Sequence, residues 1–402
     1  MKSDGLPPSP PPSIERIKVG GALFLSAWLI RLLWLWRSGL LSAFPCQDYD
    51  EGAYLEMALS FLDRGAHAWI THPPAYPAFL APFAALGARG LVFARLVQTA
   101  LGAALAPMTR RLAERLGLSP KTALAAGVLV AIHPMLVFFS SRLSSEIPFA
   151  ILTMLFFQAW LDAWQNGDGR RAAWAGFWAG LASLTRGVML PFGGVLAAVA
   201  WWKKRDEPRW AVLVLVCGAV WAATVAPWTI RNALRFKRFV PISEQGGWNF
   251  YEGLTLDLGE IEGKRAAAMA REAREQGLVN VFETDAYYAR KAKAWIRGHP
   301  REFLMLVARK AFKFWRLAPY PPHSAVVRWG TGIFNFFFFA LALVGIWRGF
   351  AARPGFSFIL GFAAYLTLLH SLFASDLRYR LPLEPLIAIA AGAGVMERRR
   401  PN

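Results

Sequence analysis

The sequence is poor in cysteine, histidine and acids. Its 402 residues hold two Cys, six His and 26 Asp plus Glu. Cys46 and Cys217 stand far apart, and Cys217 lies inside an apolar block. That pattern indicates no disulfide framework and leaves the redox compartment open. His67 and His72 lie near one another, but too few ligands surround them for a metal site. No small-residue cleavage site follows the first apolar block, and the chain up to Cys46 does not read as a lipobox. The block therefore reads as an uncleaved first span, not a signal peptide. The run from Pro7 to Pro12 reads as a disordered tail.

The acids are outnumbered by 45 Lys plus Arg, giving a net charge of +19. In a soluble chain such an excess points to nucleic acid. Here the basic residues flank apolar blocks, which reads as membrane topology and contact with anionic lipid, with no nucleic-acid partner. What is abundant is apolar. Hydrophobic residues make up 55% of the chain, and the mean hydropathy is +0.33. Several blocks reach the roughly 18–20 residues that cross about 30 Å of hydrocarbon as a helix. Tryptophan, at 18 copies, often sits at block ends, as at Trp34, Trp36, Trp201 and Trp202, and suits an interfacial aromatic belt. The expected fold class is an all-α polytopic membrane protein.

Candidate spans fall at about 19–38, 90–112, 121–140, 146–164, 172–185, 187–202, 209–229, 329–348, 355–373 and 381–396. Alternate connections are basic: Arg110, Arg111, Arg115 and Lys121; Arg170 and Arg171; Lys203, Lys204, Arg205 and Arg209; Arg348 and Arg353. Arg16 and Lys18 precede the first span, and Arg398, Arg399 and Arg400 follow the last. By the positive-inside rule all of these lie in the cytoplasm, with both termini. The expected organisation is a cytoplasmic tail over 1–18 and a first transmembrane module over 19–230, with an outer loop at 39–89. An outer-face segment with amphipathic helices follows over 231–328, then late spans and a basic tail over 329–402. The apolar stretch at 301–318 is interrupted by Arg309, Lys310, Lys313 and Arg316, so it reads as an interfacial amphipathic helix.

The first outer loop carries the acids best suited to chemistry. Asp48, Asp50 and Glu51 open an amphipathic helix whose apolar period is Tyr54, Leu55, Ala58, Leu59 and Leu62. Acids at a helix N-terminus also stabilise it against the macrodipole, so capping alone accounts for an isolated pair. Their companions weigh against that reading. Pro73, Pro74 and Pro77 predict a stiff re-entrant segment that is not a full helix. Tyr76 and its apolar neighbours suit burial at membrane level, where irregular backbone is tolerated only inside protein or along a cavity. A carboxylate pair there fits a general base. His72, beside two prolines, reads more readily as structural.

Cations gather on the same outer side. Arg186 lies between two apolar spans, Arg231 follows the seventh, and Arg378 and Arg380 precede the last. Each alone fits an interface anchor with a snorkelling stem. Together they crowd a side normally depleted of positive charge, and guanidinium groups suit a phosphate there. Ser144 or Ser145 is expected to cap the helix that Glu146 begins. Gly246 and Gly247 allow close backbone approach to a ligand, or form a plain turn. Arg31, inside the first span, calls for an acidic or phosphate partner or an outward snorkel. A base facing cations at a membrane surface suits transfer of a sugar from a polyprenyl phosphate, whose leaving phosphate needs charge stabilisation more than an acid. The D-Y-D at 48–50 formally matches an acidic motif used with nucleotide sugars and a metal. On this topology it faces away from the cytoplasm, which favours a lipid-linked donor.

Several stretches carry a family resemblance: DEGAY at 50–54, HPPAYP at 72–77, SE at 145–146, LTR at 184–186 and PWTIRN at 227–232. PISEQGGWNFYEG at 241–253 and RYRLP at 378–382 add to them. In this order and sidedness the chain resembles the GT-C glycosyltransferases related to protein O-mannosyltransferases and lipid A aminoarabinose transferases. The resemblance covers about 20 to 396 and implies a GT-C-like bundle of about ten to twelve transmembrane helices with outer-face loop helices. It implies Asp50 as base and Glu51 as its catalytic neighbour. It also implies Arg231, Arg378 and Arg380 as donor-phosphate ligands, and Arg186 joins them as a further cation expected at the phosphate. Tyr54, His72, Pro74, Tyr76, Glu146, Gly247 and Asn249 are expected to line the substrate cavity. The implied partners are a polyprenyl-phosphate-linked sugar, membrane lipids and an acceptor left open among lipid, glycan and protein. No cofactor is indicated, and a divalent metal is left open. Rival readings are a transporter or lipid flippase without transferase activity, which the lack of an internal repeat disfavours, and a glycan polymerase or ligase.

Overall fold

The computed structural model describes residues 14–40, 49–62, 70–204, 207–255, 262–320, 324–353 and 355–396. The expectations placed on Pro7–Pro12, Cys46, Asp48, His67, Arg205 and Arg398–Arg400 lie outside them. Every regular element among the described residues is helical. In chain order these are α1 Ile14–Arg37, α2 Tyr49–Leu62, α3 Ala75–Ala84, α4 Gly87–Arg115, α5 Pro120–Ala131, α6 Pro134–Ser140, α7 Glu146–Asn166, α8 Gly169–Thr185 and α9 Phe192–Lys204. They continue with α10 Arg209–Phe236, α11 Gly246–Thr255, α12 Glu262–Glu275, α13 Val281–Gly298, α14 Pro300–Phe314, α15 Ala325–Trp347, α16 Phe356–Leu372 and α17 Glu384–Met396. A 3₁₀ turn over Leu377–Leu383 leads into α17.

Helices occur at all ten expected span positions. Five of them (α1, α4, α7, α10 and α15) are long and apolar enough to cross a membrane, and the bent pair α5–α6 makes a sixth. The chain is a polytopic all-α membrane protein. Small residues let its helices approach closely, as membrane packing requires. A Cβ on Gly176 of α8 would stand 2.2 Å from the Cys217 carbonyl of α10, and one on Gly180 would meet Thr224 at 2.5 Å. Likewise Gly345 of α15 and Gly394 of α17 would collide with the partner helix's backbone at 1.9 and 2.0 Å. Trp221 of α10 also donates to Ser183 of α8 at 2.9 Å. α17 is thereby wedged into the bundle against α5 and α15, with almost every residue buried.

The single predicted span at 121–140 is broken. Pro134 begins α6, and the two pieces bend by 53°. Proline has no N–H and its ring crowds the carbonyl four residues back, which frees the carbonyls at the end of α5. Arg31, fully buried, takes them. Its Nη1 donates to Ala131 O at 3.1 Å and its Nη2 to Val130 O at 3.4 Å. Nε donates to Ser140 of α6 at 3.1 Å. Gly102 leaves the room, since its Cβ would lie 2.0 Å from the Ser140 hydroxyl. The expected acid or phosphate partner for Arg31 is therefore replaced by carbonyls at a helix C-terminus, where positive charge is favourable. Val130 O keeps the His133 amide, so Arg31→Met should leave the buried Ala131 carbonyl unpaired and cost about 1–3 kcal/mol. A thermal melt in detergent checks this, and a melt equal to wild type would show that the break holds itself.

Two more local expectations change. The proline-rich segment after His72 is helical, because Pro74 and Pro77 fall at the start of α3, where missing N–H groups have no helical partner to lose. In α2, Leu59 and Leu62 are 46% and 47% exposed, whereas Met57 and Ala58 are buried. The buried face of α2 is turned from the one the apolar period defines, because Tyr54, Leu55, Ala58 and Phe61 join the aromatic side of α3 in one small core.

Candidate active site

The two neighbouring acids of α2 have different surroundings. Glu51 is fully buried and forms a forked pair with Arg95 of α4, at 3.0 and 3.1 Å. It also accepts the Leu143 amide at 2.9 Å. Arg95 Nη1 reaches on to the Ser141 carbonyl at 2.7 Å. Glu51 thus ties the outer loop to α4 and to the connection between α6 and α7. Asp50, one residue earlier, is partly exposed and accepts from Arg378 Nη1 at 2.5 Å. The pair joins residues 328 positions apart.

A second chain of contacts runs beside this pair. Tyr54, one helical turn after Asp50, meets the Ser145 hydroxyl at 3.0 Å. Arg186 donates to the same hydroxyl at 3.0 Å and to Glu146 Oε1 at 2.9 Å. Ser145 occupies the position before α7 but makes no cap bond, because its hydroxyl is held by Tyr54 and Arg186. Tyr54 also packs edge-on against His72 and Tyr76, with ring centres 5.8 and 4.8 Å apart. The Tyr76 hydroxyl donates to Gln98 at 2.9 Å. Pro74 immediately precedes α3 and fixes its start. Tyr379 completes the group, since both the Arg186 and Arg378 guanidiniums stand over its ring, at 5.4 and 5.0 Å.

The electrostatics follow from this crowding. Burial alone would raise the Asp50 carboxyl. Arg378, by charge and by hydrogen bond, overrides it with help from His72 and Arg186, and holds Asp50 below the ordinary carboxylate range. His72 moves below its usual value, first through burial and then through Arg186, against the opposing pull of Asp50.

Not every predicted site residue joins this cluster. Arg380 is fully buried, with Nε on Glu384 at 2.7 Å and Nη1 on the carbonyls of Phe314 and Arg316 at 2.8 and 3.1 Å. His133, at the α5–α6 break, lies 3.4 Å from the other Glu384 oxygen. Arg380 thus belongs to an internal network under the turn, while Arg378 points out of it to Asp50. Alternation along the short R-Y-R turn separates the two, a detail the linear motif does not carry. Arg231 sits near the end of α10, over the rings of Trp228 and Phe236 at 4.6 and 5.3 Å. Gly247 lies in α11, where a Cβ would stand 2.2 Å from the Asp285 carbonyl of α13. Its tight approach is to a helix, and the exposed Asn249 follows it in the same unit. Sequence reasoning missed Arg95 and Gln98 and gave Ser145 only a capping role. Arg95 and Gln98 were submerged in an apolar block, where a buried ion or amide is itself a signal. Among the described residues no group of three His, Cys, Asp or Glu side chains is placed to hold a metal.

Residues 71–230 match the profile of the dolichyl-phosphate-mannose-protein mannosyltransferase family. The matched stretch includes His72, Tyr76, Glu146 and Arg186; Asp50 and Arg378 lie outside it. No curated protein sequence matches the chain. In structure it is similar to the oligosaccharyltransferase AglB of Archaeoglobus fulgidus solved with an inhibitory peptide and dolichol-phosphate. The TM-score is 0.62 and the identity 16%, over 95% of this chain and 50% of AglB. The apo form of that enzyme gives 0.62 and 16%, over 94% and 50%. ArnT from Cupriavidus metallidurans aligns at a TM-score of 0.43 and 15% identity, over 94% of this chain and 76% of ArnT. The chain is a polytopic membrane protein with the GT-C glycosyltransferase fold. It spans about half the length of the AglB chains it matches.

Proposed function

We propose that this protein transfers a sugar from a polyprenyl-phosphate donor to an acceptor on the non-cytoplasmic face of the membrane, by one inverting displacement. The observation that carries the reading is the Asp50–Arg378 pair, set beside Arg186, Glu146 and Tyr54. The excess of Lys and Arg at the opposite connections supports the sidedness, with both termini cytoplasmic. The match to a dolichyl-phosphate-mannose transferase profile supports the donor class. An acceptor hydroxyl attacks the anomeric carbon, and its proton passes to Asp50. The bond from that carbon to the phosphate oxygen breaks, and its electron pair leaves with the phosphate. The departing group is a stable anion, so cations serve it better than an acid.

Arg378 has two duties in this scheme. Without donor it neutralises Asp50 and keeps it a weak base. A donor phosphate competes for the guanidinium, and as Arg378 turns to it, Asp50 loses its counter-charge. Burial then dominates, and its basicity rises when an acceptor needs it. Arg186 is the second donor cation. Glu51 acts as an anchor of the loop, not as a reacting group, and Arg380 as an internal support.

The pH dependence tests this. With Asp50 held low by Arg378, the acid limb of kcat/KM for the free enzyme should lie below the usual carboxylate value near 3.8. Arg378→Gln removes the charge and leaves burial, so the limb should move up in pH. An unmoved limb would dissociate Arg378 from the base. Purified protein in proteoliposomes with a polyprenyl-phosphate sugar tests the activity itself. Movement of the lipid across the bilayer with no glycosyl transfer would favour a flippase instead.

A further inference from the structure

The end of α14 carries a cation that neither the acids of α2 nor the sequence motifs claim. Arg316 donates from Nη2 to Asp376 Oδ2 at 2.8 Å. Its guanidinium lies 3.9 Å over the Tyr320 ring. Nε and Nη1 are buried and meet no acceptor among the described residues. The other oxygen of Asp376 accepts the Arg378 amide at 3.1 Å. Arg316 and the Arg378 turn are therefore joined through one carboxylate. Arg316 also supports that turn from below, since its own carbonyl accepts from Arg380.

A guanidinium stacked on an aromatic face and paired with one carboxylate also occurs as a purely structural corner. Two features favour a ligand. One is the donor capacity left over on a desolvated cation, which a multi-oxygen anion satisfies and a single carboxylate contact does not. The other is the apolar flank beside it. Trp315, Leu317 and Tyr320 are 36–38% exposed, and Phe312, one turn back, is 81% exposed. Lys313 adds a second positive group, its Nζ 5.5 Å from the Tyr320 ring centre. A desolvated cation beside an exposed apolar strip fits a phosphate monoester on a long hydrocarbon chain.

Resting on the lipid-phosphate reading above, we infer that Arg316 is a phosphate-binding residue. With Arg378 it grips the head of the polyprenyl phosphate while the isoprenoid runs over Phe312, Trp315 and Leu317. Arg316 takes the part that the sequence motif gives to Arg380.

The test uses the full chain in neutral-lipid nanodiscs, with binding of a long-chain polyprenyl monophosphate followed by native mass spectrometry. Inorganic phosphate and a diacyl phosphatidic acid are run in parallel. Arg316→Gln, whose amide can still meet Asp376, should weaken polyprenyl-phosphate binding about tenfold or more. Arg316→Lys keeps the charge but loses the fork, and should weaken it several-fold. Inorganic phosphate, without a chain, should compete poorly. Wild-type binding that survives unchanged in Arg316→Gln would overturn this assignment alone. A wild type that binds no polyprenyl phosphate would overturn the donor reading itself. Phosphatidic acid bound as tightly as the isoprenoid lipid would overturn the isoprenoid path and leave a general headgroup site. If the glutamine variant fails to fold, a lysine variant equal to wild type is sufficient to overturn the inference.

Discussion

Asp50→Asn is expected to slow sugar transfer by about two to four orders of magnitude, the usual contribution of a positioned general base. Asparagine is nearly isosteric and can still accept a hydrogen bond from Arg378, so the loop and the turn should stay together. Donor affinity should change little or rise, because Arg378 is freed from a competing anion. The loss should therefore fall on the chemical step, and single-turnover rates at saturating donor separate it from binding. The acid limb set by the base should also vanish from the pH profile. Undiminished turnover in this variant would remove Asp50 from the chemistry.

The neighbouring acid should behave in the opposite way. Glu51→Ala leaves Arg95 as a desolvated cation with one carbonyl at Ser141. Breaking a buried pair from one side costs about 3–5 kcal/mol, mostly through the charge left behind. The variant should melt far earlier in detergent and accumulate poorly, yet whatever folds should keep the wild-type pH profile. The double variant Glu51→Met with Arg95→Met removes both charges and should recover much of the stability. A Glu51→Ala protein that melts normally but transfers no sugar would sink the anchoring role and return Glu51 to the reaction.

The membrane architecture was legible in the sequence because hydrocarbon imposes a crude rule. A block of apolar residues with charged ends has few alternatives to a helix, and all ten predicted positions carry one. The stretch at 301–318 overlaps a helix, α14, with exposed Leu304 and Phe312 and buried Lys310. What stayed hidden depends on direction. Glu51 and Asp50 differ by one residue, about a hundred degrees around a helix, and only packing decides which of them meets Arg95. The same holds for Arg378 and Arg380. Composition also gives no account of carbonyls as partners, which is why Arg31 seemed to need an acid, a phosphate or an outward snorkel. Arg316 was hidden because it interrupts an apolar stretch, and such a residue reads as a boundary until its neighbours are seen.

The pairing of Asp50 with Arg378 also has a history in time. A ribosome adding about 5–20 residues per second needs roughly 15–65 s to make the stretch that separates them. Throughout that interval Asp50 lacks this counter-ion, while Glu51 can already reach Arg95, 44 positions away. The loop is thus pinned early by one acid, while the other waits for a distant partner. The turn bearing Arg378 runs straight into α17, whose Gly392 and Gly394 fit closely against α5 and α15. The Asp50–Arg378 contact is consequently among the last to be made, and an unfinished chain carries the Glu51–Arg95 anchor without it.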